Sequence, residues 1–386
     1  MFDYVFKNKK TWITVFLLDL IGSILFLFRS RQFPKKVERI LVVRLDHLGD
    51  LVMSTPFFTR LRETYPAAEI HLLADSNFAG LFEKDSRFDQ VIPVEGHWFS
   101  RNSRVKWLSL FSLAVKLRPF NYDLGFDLRG DFRTIFFFLF LPGVKHRVSY
   151  GVRGGSFLLN LSPVFPSREH ESQKDLNLLS VLENRDFEQT KPGLEPDDEV
   201  KKLMAAKLEK MGWNRGKKLI GAHLGAGYPS KQWGLEKFRK VLERILDSGP
   251  YQVCLLGKKE EITLPSHFLR QESILNCLGG TSVKELVAIT SLCDYFIGND
   301  SGPAHAAAAL GVPVLSVFSG TNRFEEFKPL AASGEIIHKD LECSPCEAQI
   351  CPLRHHNCMN LISEEEVLDG FNRLVKKSES REEALR

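Results

Sequence analysis

One stretch of the chain combines residue types that bind phosphate at the start of a helix. A predicted strand ends just before Asp300, and Asp300 and Ser301 are both residue types that cap a helix N-terminus. Pro303 suits the first helical turn, where a backbone N–H is not needed, and Gly302 allows close approach to the backbone. The free amides and the dipole of such a helix end attract phosphate, and His305 can donate to the same anion. The alternative is a well-capped helix whose histidine is merely exposed.

A second loop places a lysine where the same diphosphate would be met. The sequence HLGAGYPSKQWGLEKF follows a predicted strand and precedes a predicted helix, and Lys231 lies on the loop between them. A lysine is a strong point charge for phosphate. This second signal favours a diphosphate site over a simple helix cap.

A third loop carries acidic side chains in place of basic ones. The sequence RLDHLGDLVMSTP puts Asp46 and Asp50 between a predicted strand and a predicted helix, and Gly49 permits a tight turn there. A carboxylate opposite two phosphate-binding elements cannot usefully contact phosphate, but it can act as a general base. The alternative is that Asp50 only caps the helix that follows.

Cysteines form the fourth group of residues that could do chemistry. Four of the seven fall within sixteen residues, namely Cys343, Cys346, Cys351 and Cys358. The spacing C-x2-C-x4-C-x6-C suits a tetrathiolate zinc or iron site, with His355 and His356 as substitute ligands. The alternative is a compact loop of reduced, structural cysteines. The other three are Cys254, Cys277 and Cys293. Their strand and helix patterns predict core positions.

Alternating strands and helices must position these loops. In the N-terminal half, strands are predicted at 38–45, 69–74, 90–94, 124–128 and 146–150, and helices at 55–65 and 106–117. In the C-terminal half, strands are predicted at 217–224, 251–257, 294–299 and 312–318, and helices at 235–247, 282–291 and 303–310. The Phe-rich run at 136–141 is expected in the core. Such alternation predicts an α/β protein with two Rossmann-like domains that face each other across a cleft.

The predicted domain boundaries follow from turn-rich and charged segments. A polar segment at 186–198 serves as the linker between the two halves. The predicted organisation is an N-terminal apolar, membrane-associating helix (1–35), an N-terminal Rossmann-like domain (36–190), a C-terminal Rossmann-like domain with a Cys-rich loop at 343–358 (191–376), and a frayed charged tail (377–386).

Composition and charge exclude several classes of protein. With 386 residues, 44% hydrophobic and 26% charged, the chain is neither collagen-like nor disordered nor a disulfide miniprotein. Residues 1–36 carry seven Lys or Arg against two Asp, and the remainder has 52 − 7 = 45 basic and 48 − 2 = 46 acidic residues. A nucleic-acid binder would spread basic residues over a folded face. Basic residues around a short apolar stretch instead suit an anionic membrane surface, so we expect a membrane partner and no nucleic acid.

The apolar stretch runs from residue 12 to residue 28. A bilayer span needs about 20 apolar residues, and a central Asp costs about 2.5–3.5 kcal/mol on insertion scales, so a span is marginal. Helical spacing puts Asp19, Gly22 and Ser23 on a narrow side. The broad opposite side holds Trp12, Phe16, Leu20, Ile24 and Phe28. This pattern favours a helix in the membrane interface, with a true span and a helix packed on the protein's own body as alternatives. A signal peptide is disfavoured because no small-residue cleavage site follows.

The four motifs together resemble one known family. RILVVRLDHLGDLVMSTPFFTRLRETYP, HLGAGYPSKQW, GNDSGPAHAAAALGVPV and CSPCEAQICPLRHHNCM are similar, in this order from Arg39 to Val375, to the ADP-heptose:lipopolysaccharide heptosyltransferases, glycosyltransferase family 9. The last motif most resembles the heptosyltransferase II branch. The resemblance implies a GT-B fold, with residues 36–190 as the acceptor domain and residues 191–376 as the nucleotide-sugar domain that chiefly binds the donor. It also implies inverting transfer without a catalytic metal or other cofactor.

The resemblance also implies roles for individual residues. Asp50 matches the family's base, and Lys231 and His305 match its diphosphate contacts. Asp300, Ser301 and Gly302 match the nucleotide-sugar loop, and Glu261 matches an acidic residue that contacts the nucleotide ribose. This chain departs from the family pattern in two places. Gly225 and Ala226 lack the hydroxyls that some members place near the phosphates, and the extension before Arg39 is absent from many members.

Two other classes of protein fit the residues less well. A nicotinamide-dependent dehydrogenase needs a complete G-x-G-x-x-G turn, which neither glycine loop provides. A non-catalytic scaffold would be expected to lose Asp50, Lys231 or His305, and all three are present. The expected function is heptose transfer from ADP-heptose to a lipid-linked inner-core acceptor, on the cytoplasmic face of the bacterial inner membrane. The alternative is a family 9 enzyme with another NDP-sugar or with another glycan or protein as acceptor.

Overall fold

The computed structural model of the protein describes residues 9–25, 33–95 and 107–385. The chain divides into two units, Met1–Thr190 (unit 1) and Lys191–Arg386 (unit 2). Each unit contains one sheet in which neighbouring strands run parallel, and strands alternate with helices along the chain. The predicted α/β class is confirmed.

Unit 1 has a five-stranded sheet. Its strands are β1 (Arg39–Arg44), β2 (Glu69–Asp75), β3 (Gln90–Val94), β4 (Leu124–Asp127) and β5 (His146–Val148), in the order β3-β2-β1-β4-β5. The central strand β1 pairs with β2 and β4, and all its residues after Arg39 are buried, as expected for a parallel strand covered on both faces. The five predicted strands are confirmed.

Helices of unit 1 surround this sheet. They are α1 (Lys9–Leu25), α2 (Leu48–Met53), α3 (Thr55–Thr64), α4 (Trp107–Leu117), α5 (Phe132–Thr134) and α6 (Glu171–Glu183). A glycine-containing loop was predicted after β1. Most of this segment is helical instead, since α2 begins at Leu48. A π-helical stretch, Ile135–Phe140, continues α5. Phe137 and Phe138 are buried there, which confirms the core position predicted for this run.

Unit 2 has a six-stranded sheet. Its strands are β6 (Lys218–His223), β7 (Tyr251–Leu256), β8 (Ile274–Asn276), β9 (Tyr295–Asn299), β10 (Val314–Val317) and β11 (Gly334–Ile337), in the order β11-β10-β9-β6-β7-β8. The four predicted strands are confirmed, and the short edge strands β8 and β11 were not predicted. The helices are α7 (Asp198–Lys210), α8 (Leu235–Ser248), α9 (Ser266–Leu269), α10 (Val283–Thr290), α11 (Gly302–Ala309), α12 (Phe324–Phe327), α13 (Asn357–Asn360) and α14 (Glu364–Leu385).

The C-terminal helix corrects one prediction. The segment after Lys376 was expected to fray, but α14 continues through it to Leu385. Glu335 on β11 forms ion pairs with Arg373 and Lys377, and Ser378 is 8% exposed. These contacts hold the first turn of the predicted tail against the sheet.

Helix α1 packs on unit 1 through its narrow polar side. The Asp19 carboxylate is 1% exposed and accepts hydrogen bonds from the Gly155 N–H at 2.8 Å and from the Ser156 hydroxyl at 3.1 Å. On the broad side, Leu20 and Ile24 are exposed. The sequence analysis treated a helix packed on the protein's own body and a helix with an outward apolar side as separate alternatives. In the structure, α1 has both features.

The length of α1 bears on the predicted span. The helix has 17 residues. Of the helices within residues 9–25, 33–95 and 107–385, none combines the length and the apolar character that crossing a membrane requires. The predicted contacts of Phe28 lie outside the described residues, as do those of the Trp12 side chain.

Candidate active site

All the predicted donor residues of unit 2 except Glu261, which follows β7, come after two adjacent strands. β6 and β9 are neighbours, but the chain continues from β6 to β7 and β8 on one side of the sheet and from β9 to β10 and β11 on the other. The loops that leave the carboxyl ends of β6 and β9 therefore diverge. In doubly wound sheets this switch point is where ligands bind.

Asn299, the last residue of β9, joins these two loops. Its side-chain amide donates to the carbonyls of Leu224 at 2.7 Å and Gly225 at 3.3 Å, and its carbonyl accepts the Trp233 N–H at 3.0 Å. Asn299 is fully buried, so these bonds are shielded from water. The sequence analysis assigned it no role. The available signal was a polar side chain at the end of the apolar strand YFIGN.

Lys231 and Asp300 lie together at this edge of the sheet. The Lys231 ammonium is 2.6 Å from the Asp300 carboxylate, and the two side chains are 15% and 3% exposed. A carboxylate this deeply buried requires a charged or hydrogen-bonding partner. Asp300 therefore holds the ammonium in place, and it does not cap α11 as one interpretation of the sequence expected.

The segment beneath Lys231 is held by the Cys-rich loop. Ser230 donates its backbone N–H to Gln349 at 3.0 Å and its hydroxyl to Ala348 at 2.6 Å. The ring of His356 lies 2.9 Å from the Ser230 carbonyl, and Thr321 donates to the Ser230 hydroxyl at 3.1 Å. These bonds fix the short 3-10 turn that ends at Lys231.

The first turn of α11 contains the remaining phosphate-site candidates. Ser301 is the N-cap residue and Gly302 begins the helix, as the sequence predicted. The Ser301 side chain makes no capping bond, and its hydroxyl oxygen is buried without a hydrogen-bond partner in the part of the chain that the structure describes. His305 is 6% exposed. The histidine is therefore largely buried in this first turn, contrary to the interpretation that left it exposed.

Glu261 lies against the glycine loop that follows β6. A Cβ atom added to Gly225 would come within 2.9 Å of a Glu261 carboxylate oxygen. A side chain at position 225 would therefore displace Glu261. Burial also lowers the pKa of the adjacent His223 to about 4, so this ring is neutral at pH 7.

In unit 1, Asp50 lies in the first turn of α2. One carboxylate oxygen accepts the His47 N–H at 3.2 Å, and the other lies 3.9 Å from the Arg44 guanidinium. The Asp50 side chain is 26% exposed. Asp50 therefore contributes to the N-terminal cap of α2, and part of its carboxylate stays accessible.

Arg44 connects Asp50 to two further carboxylates. Its guanidinium, 3% exposed, lies 3.4 Å from Asp46 and 3.7 Å from Asp175. Asp175 accepts the Ser54 hydroxyl at 2.6 Å, and burial raises the pKa of Asp175 to about 7. The sequence analysis named neither Arg44 nor Asp175. A charged residue at the end of the apolar run RILVVR was the only local signal.

Arginines gather beside this carboxylate network. Arg129 pairs with Asp46, and Arg133 lies 2.8 Å from Asp131. Burial, followed by the charge of the nearby Arg153, lowers the pKa of Arg129 to about 9. The carboxyl edge of β1 and β4 therefore carries a dense set of alternating charges that the sequence analysis did not predict.

The predicted metal site is not formed. Within the described ranges, no group of three or more His, Cys, Asp or Glu side chains could hold a metal ion. The four cysteines of the loop form no disulfide within the described structure and are partly exposed, and the backbone N–H of Cys346 donates to the Gly320 carbonyl at 3.0 Å. The loop is held by hydrogen bonds to its neighbours. Burial raises the pKa of the Cys358 thiol, and the nearby Cys343, Cys346 and Cys351 add to this effect. The buried positions predicted for Cys254, Cys277 and Cys293 are confirmed.

Comparisons with known proteins agree with this arrangement. A family model described as glycosyltransferase family 9 (heptosyltransferase) matches residues 110–356. The lipooligosaccharide heptosyltransferase 2 of Campylobacter jejuni is 33% identical over 345 residues, which cover 86% of this chain and 96% of that protein. The chain thus spans nearly the whole length of this relative.

Two solved structures share the fold. The Escherichia coli ADP-heptose lps heptosyltransferase II has a TM-score of 0.70 at 21% identity and covers 88% of this chain and 99% of its own. A family 9 glycosyl transferase from Veillonella parvula has a TM-score of 0.76 at 21% identity and covers 90% and 100%. These likenesses confirm the predicted GT-B fold. Together with the family model and the sequence relative, they show that this chain is a glycosyltransferase and belongs to glycosyltransferase family 9, the heptosyltransferases.

Proposed function

We propose that this enzyme transfers heptose from ADP-heptose to a lipopolysaccharide inner-core acceptor, with inversion at the anomeric carbon. The observation that carries the proposal is the Lys231–Asp300 ion pair beside the N-terminus of α11. It places a fixed positive charge next to a helix end, which is the arrangement that binds a diphosphate. The names of the relatives support heptose as the transferred sugar.

The donor side of the reaction must stabilise a leaving diphosphate. As the bond to the anomeric carbon breaks, negative charge grows on the phosphate oxygens. Lys231, His305 and the amides at Gly302 supply compensating positive charge, and Asp300 keeps the lysine oriented without movement during the reaction. Glu261, against Gly225, is the residue we assign to the ribose hydroxyls. This scheme handles the charge without a catalytic metal or cofactor.

The acceptor side of the reaction needs a proton acceptor. In a single displacement, the acceptor hydroxyl attacks the anomeric carbon while its proton passes to a base. Asp50 has an accessible carboxylate oxygen, and its contact with His47 and its proximity to Arg44 orient it. We assign the base to Asp50.

A lipid-linked acceptor also places the enzyme at a surface. We propose that the protein works in the cytoplasm, peripherally bound to the inner face of the bacterial inner membrane. A membrane-bound enzyme gains effective concentration of acceptor without any added contact in the site.

A donor screen tests the proposed function. Purified protein is incubated with a lipid-linked inner-core saccharide and with ADP-heptose, ADP-hexose, UDP-hexose or GDP-hexose, and release of the free nucleotide is measured. We expect release from ADP-heptose only when acceptor is present, and loss of that release in Asp50→Asn. Equal or faster release from another nucleotide sugar would favour the alternative, a family 9 enzyme with a different donor, since the residues named above are assigned to the diphosphate and the ribose and none is assigned to the sugar.

A further inference from the structure

Helix α1 is fixed in one rotational orientation about its axis. Asp19 accepts two hydrogen bonds from the loop at 155–156, and a Cβ atom on Gly22 would overlap the ring of Phe157. Val15 lies on the same side, close to Gly154. The hydrogen bonds of Asp19 and the close approach of Gly22 to Phe157 together determine which side of α1 faces the rest of unit 1.

The outward side of α1 is apolar and exposed. Its exposed residues, with exposures from 41% to 60%, are Ile13, Leu17, Leu18, Leu20, Ile21 and Ile24. Single exposed apolar residues are normal on a protein surface, but a helix side that shows six is a contiguous patch. Such patches mark protein or membrane contacts.

Helix α4 presents a second patch of the same kind. Trp107, Leu108, Phe111 and Val115 are exposed by 50%, 86%, 46% and 67%. The spacing of these residues, at i, i+4 and i+8 with Leu108 alongside, places them on one outward side of the helix. The opposite side packs into the core through Leu110, Ala114 and Leu117.

A chain of aromatic rings joins the two helices. Phe157, which packs on α1, has its ring centroid 6.4 Å from that of Phe132, and Phe132 stacks on Phe136 at 5.7 Å. Phe136 contacts Phe137 at 5.2 Å, and Phe137 contacts Phe111 of α4 at 4.9 Å. Phe157, Phe132 and Phe136 are half-buried, and Phe137, which contacts α4, is 4% exposed, so packed rings that partly reach the surface connect the two helices.

We propose that the outward sides of α1 and α4, here called the two-helix surface, bind together to a lipid bilayer that contains anionic lipids. The proposal rests on the proposed function, because a lipid-linked acceptor supplies the reason for a bilayer. The new element is α4, which was predicted from the sequence only as a helix of the acceptor domain and which here supplies half of the binding surface.

Charge favours a bilayer over another protein as the occupant. On α4, Lys116 is exposed, and Arg118 follows just after the helix. Upstream of the outward side of α1 the sequence carries Lys7, Lys9 and Lys10, and residues 29–36 add four more basic residues and no acidic one. Apolar side chains insert at the headgroup boundary, and basic residues close to them in the sequence attract anionic lipid.

Binding through two helices has a consequence that one anchor lacks. A single helix on a flexible connection would only tether the enzyme, whereas two patches on one rigid unit set its orientation relative to the membrane plane. Asp19 is the positioning residue, since its hydrogen bonds to Gly155 and Ser156 keep the apolar side of α1 outward.

Vesicle binding by the full chain tests the two-helix surface. Affinity is measured for vesicles of phosphatidylcholine alone and of phosphatidylcholine with phosphatidylglycerol, using wild type, Ile24→Asp on α1 and Leu108→Asp on α4. The matched control is Leu203→Asp, because Leu203 is also an exposed leucine on a helix, 62% exposed, but in unit 2. Burial of one large aliphatic side chain corresponds to about a tenfold or greater change in a binding constant.

We expect wild type and Leu203→Asp to bind the anionic vesicles alike, and Ile24→Asp and Leu108→Asp each to bind about tenfold or more weakly. Wild-type affinity should also be lower for phosphatidylcholine alone. Wild-type binding by Leu108→Asp would overturn the proposal. So would a wild-type dimer that Leu108→Asp dissociates, because a second copy of the chain would then cover the surface. ADP affinity, measured on the same samples, should not change, and transfer to detergent-dissolved acceptor should persist. If the wild type bound the anionic vesicles but did not transfer heptose, only the proposed function would be contradicted.

Discussion

The ammonium of Lys231 and the carboxylate of Asp300 lie 2.6 Å apart, although 69 positions separate the two residues in the sequence. The loops after β6 and β9 bring them together, and Asn299 ties those same loops to each other. The positive charge expected to meet a diphosphate is thus held in place before any donor arrives. Such preorganisation lowers the cost of stabilising charge during the reaction.

The first prediction separates the structural effect of this ion pair from its role in binding. Lys231→Ala leaves the Asp300 carboxylate buried and unpaired, so we expect the free energy of unfolding to fall by about 3 kcal/mol, as measured by urea denaturation. ADP affinity should also fall by about tenfold or more, because a charge-assisted contact is lost.

The double variant Lys231→Met with Asp300→Asn is the control for this prediction. It removes both charges, and stability should therefore return towards that of wild type while ADP affinity stays low. If the double variant bound ADP normally, Lys231 would not contact the phosphates.

The second prediction concerns Asp50. Asp50→Asn retains an oxygen that can accept the His47 N–H, so folding should be little affected. Turnover should fall by about 10² to 10⁴, because the base is lost, and ADP-heptose affinity should be nearly unchanged. Steady-state kinetics and a separate donor titration distinguish the two effects. Near-normal turnover would mean that the proton goes to another group.

The third prediction tests Glu261 through its neighbour. Gly225→Ser adds a Cβ atom 2.9 Å from a Glu261 carboxylate oxygen, so Glu261 must move. We expect ADP affinity to fall by about tenfold, on the order of 1.4 kcal/mol, in calorimetric titration.

The same loop offers a matched control. Gly227→Ser lies two positions further on, where an added Cβ meets no heavy atom within 4 Å, so it should bind ADP as wild type does. Equal affinity in both variants would remove Glu261 from the nucleotide site.

The fourth prediction is a dependence of stability on pH. Burial raises the pKa of Asp175 to about 7. In the unfolded chain, the pKa of an aspartate is about 3.9. Between about pH 4 and pH 7, the unfolded chain releases this proton and the folded protein keeps it. This residue therefore lowers the stability of the fold as pH rises through that range.

Asp175→Asn removes this titration while keeping an acceptor for the Ser54 hydroxyl. The free energy of unfolding of the variant, relative to wild type, should rise from pH 4 to pH 7 by up to about 4 kcal/mol. The exposed Asp340, substituted by Asn, should show no such trend. A constant difference between Asp175→Asn and wild type would show that Asp175 is ionised throughout.

Local sequence patterns were enough to place Lys231 and Asp300 between a strand and a helix, whereas Asp50 lies in the first turn of α2 and not in the predicted loop. Asp50, Lys231 and Asp300 each follow a β-branched run and precede a helical pattern, and parallel strands end at one edge of their sheet. The alternation of strands and helices also predicted the α/β class. These features depend on short stretches of chain, which is why they can be read without a structure.

The contacts that hold the site had no such local pattern. Ser54 meets Asp175 across 121 positions, and Asn299 meets Leu224 across 75. Only the folded sheet brings these residues together. The Cys-rich loop shows the opposite case, because its local spacing matches a metal site, yet no group of three or more side chains that could hold a metal ion is found among the described residues.

Helix α1 shows what helical periodicity can predict and what it cannot. The spacing correctly separated Asp19 and Gly22 from Leu20 and Ile24. It could not indicate that the polar side has its own partner at Gly155, because that loop lies 136 positions away.

The bonds of Asn299 also bear on how unit 2 folds. They join β9 to loops about 75 residues earlier in the chain, so a growing polypeptide that has not yet added β9 contains β6 and Lys231 but cannot assemble the donor site. Contacts between distant positions form late and slowly. Nucleotide should therefore stabilise the completed six-stranded sheet and have little affinity for partly folded chains, which makes the donor itself a selective stabiliser of the mature enzyme.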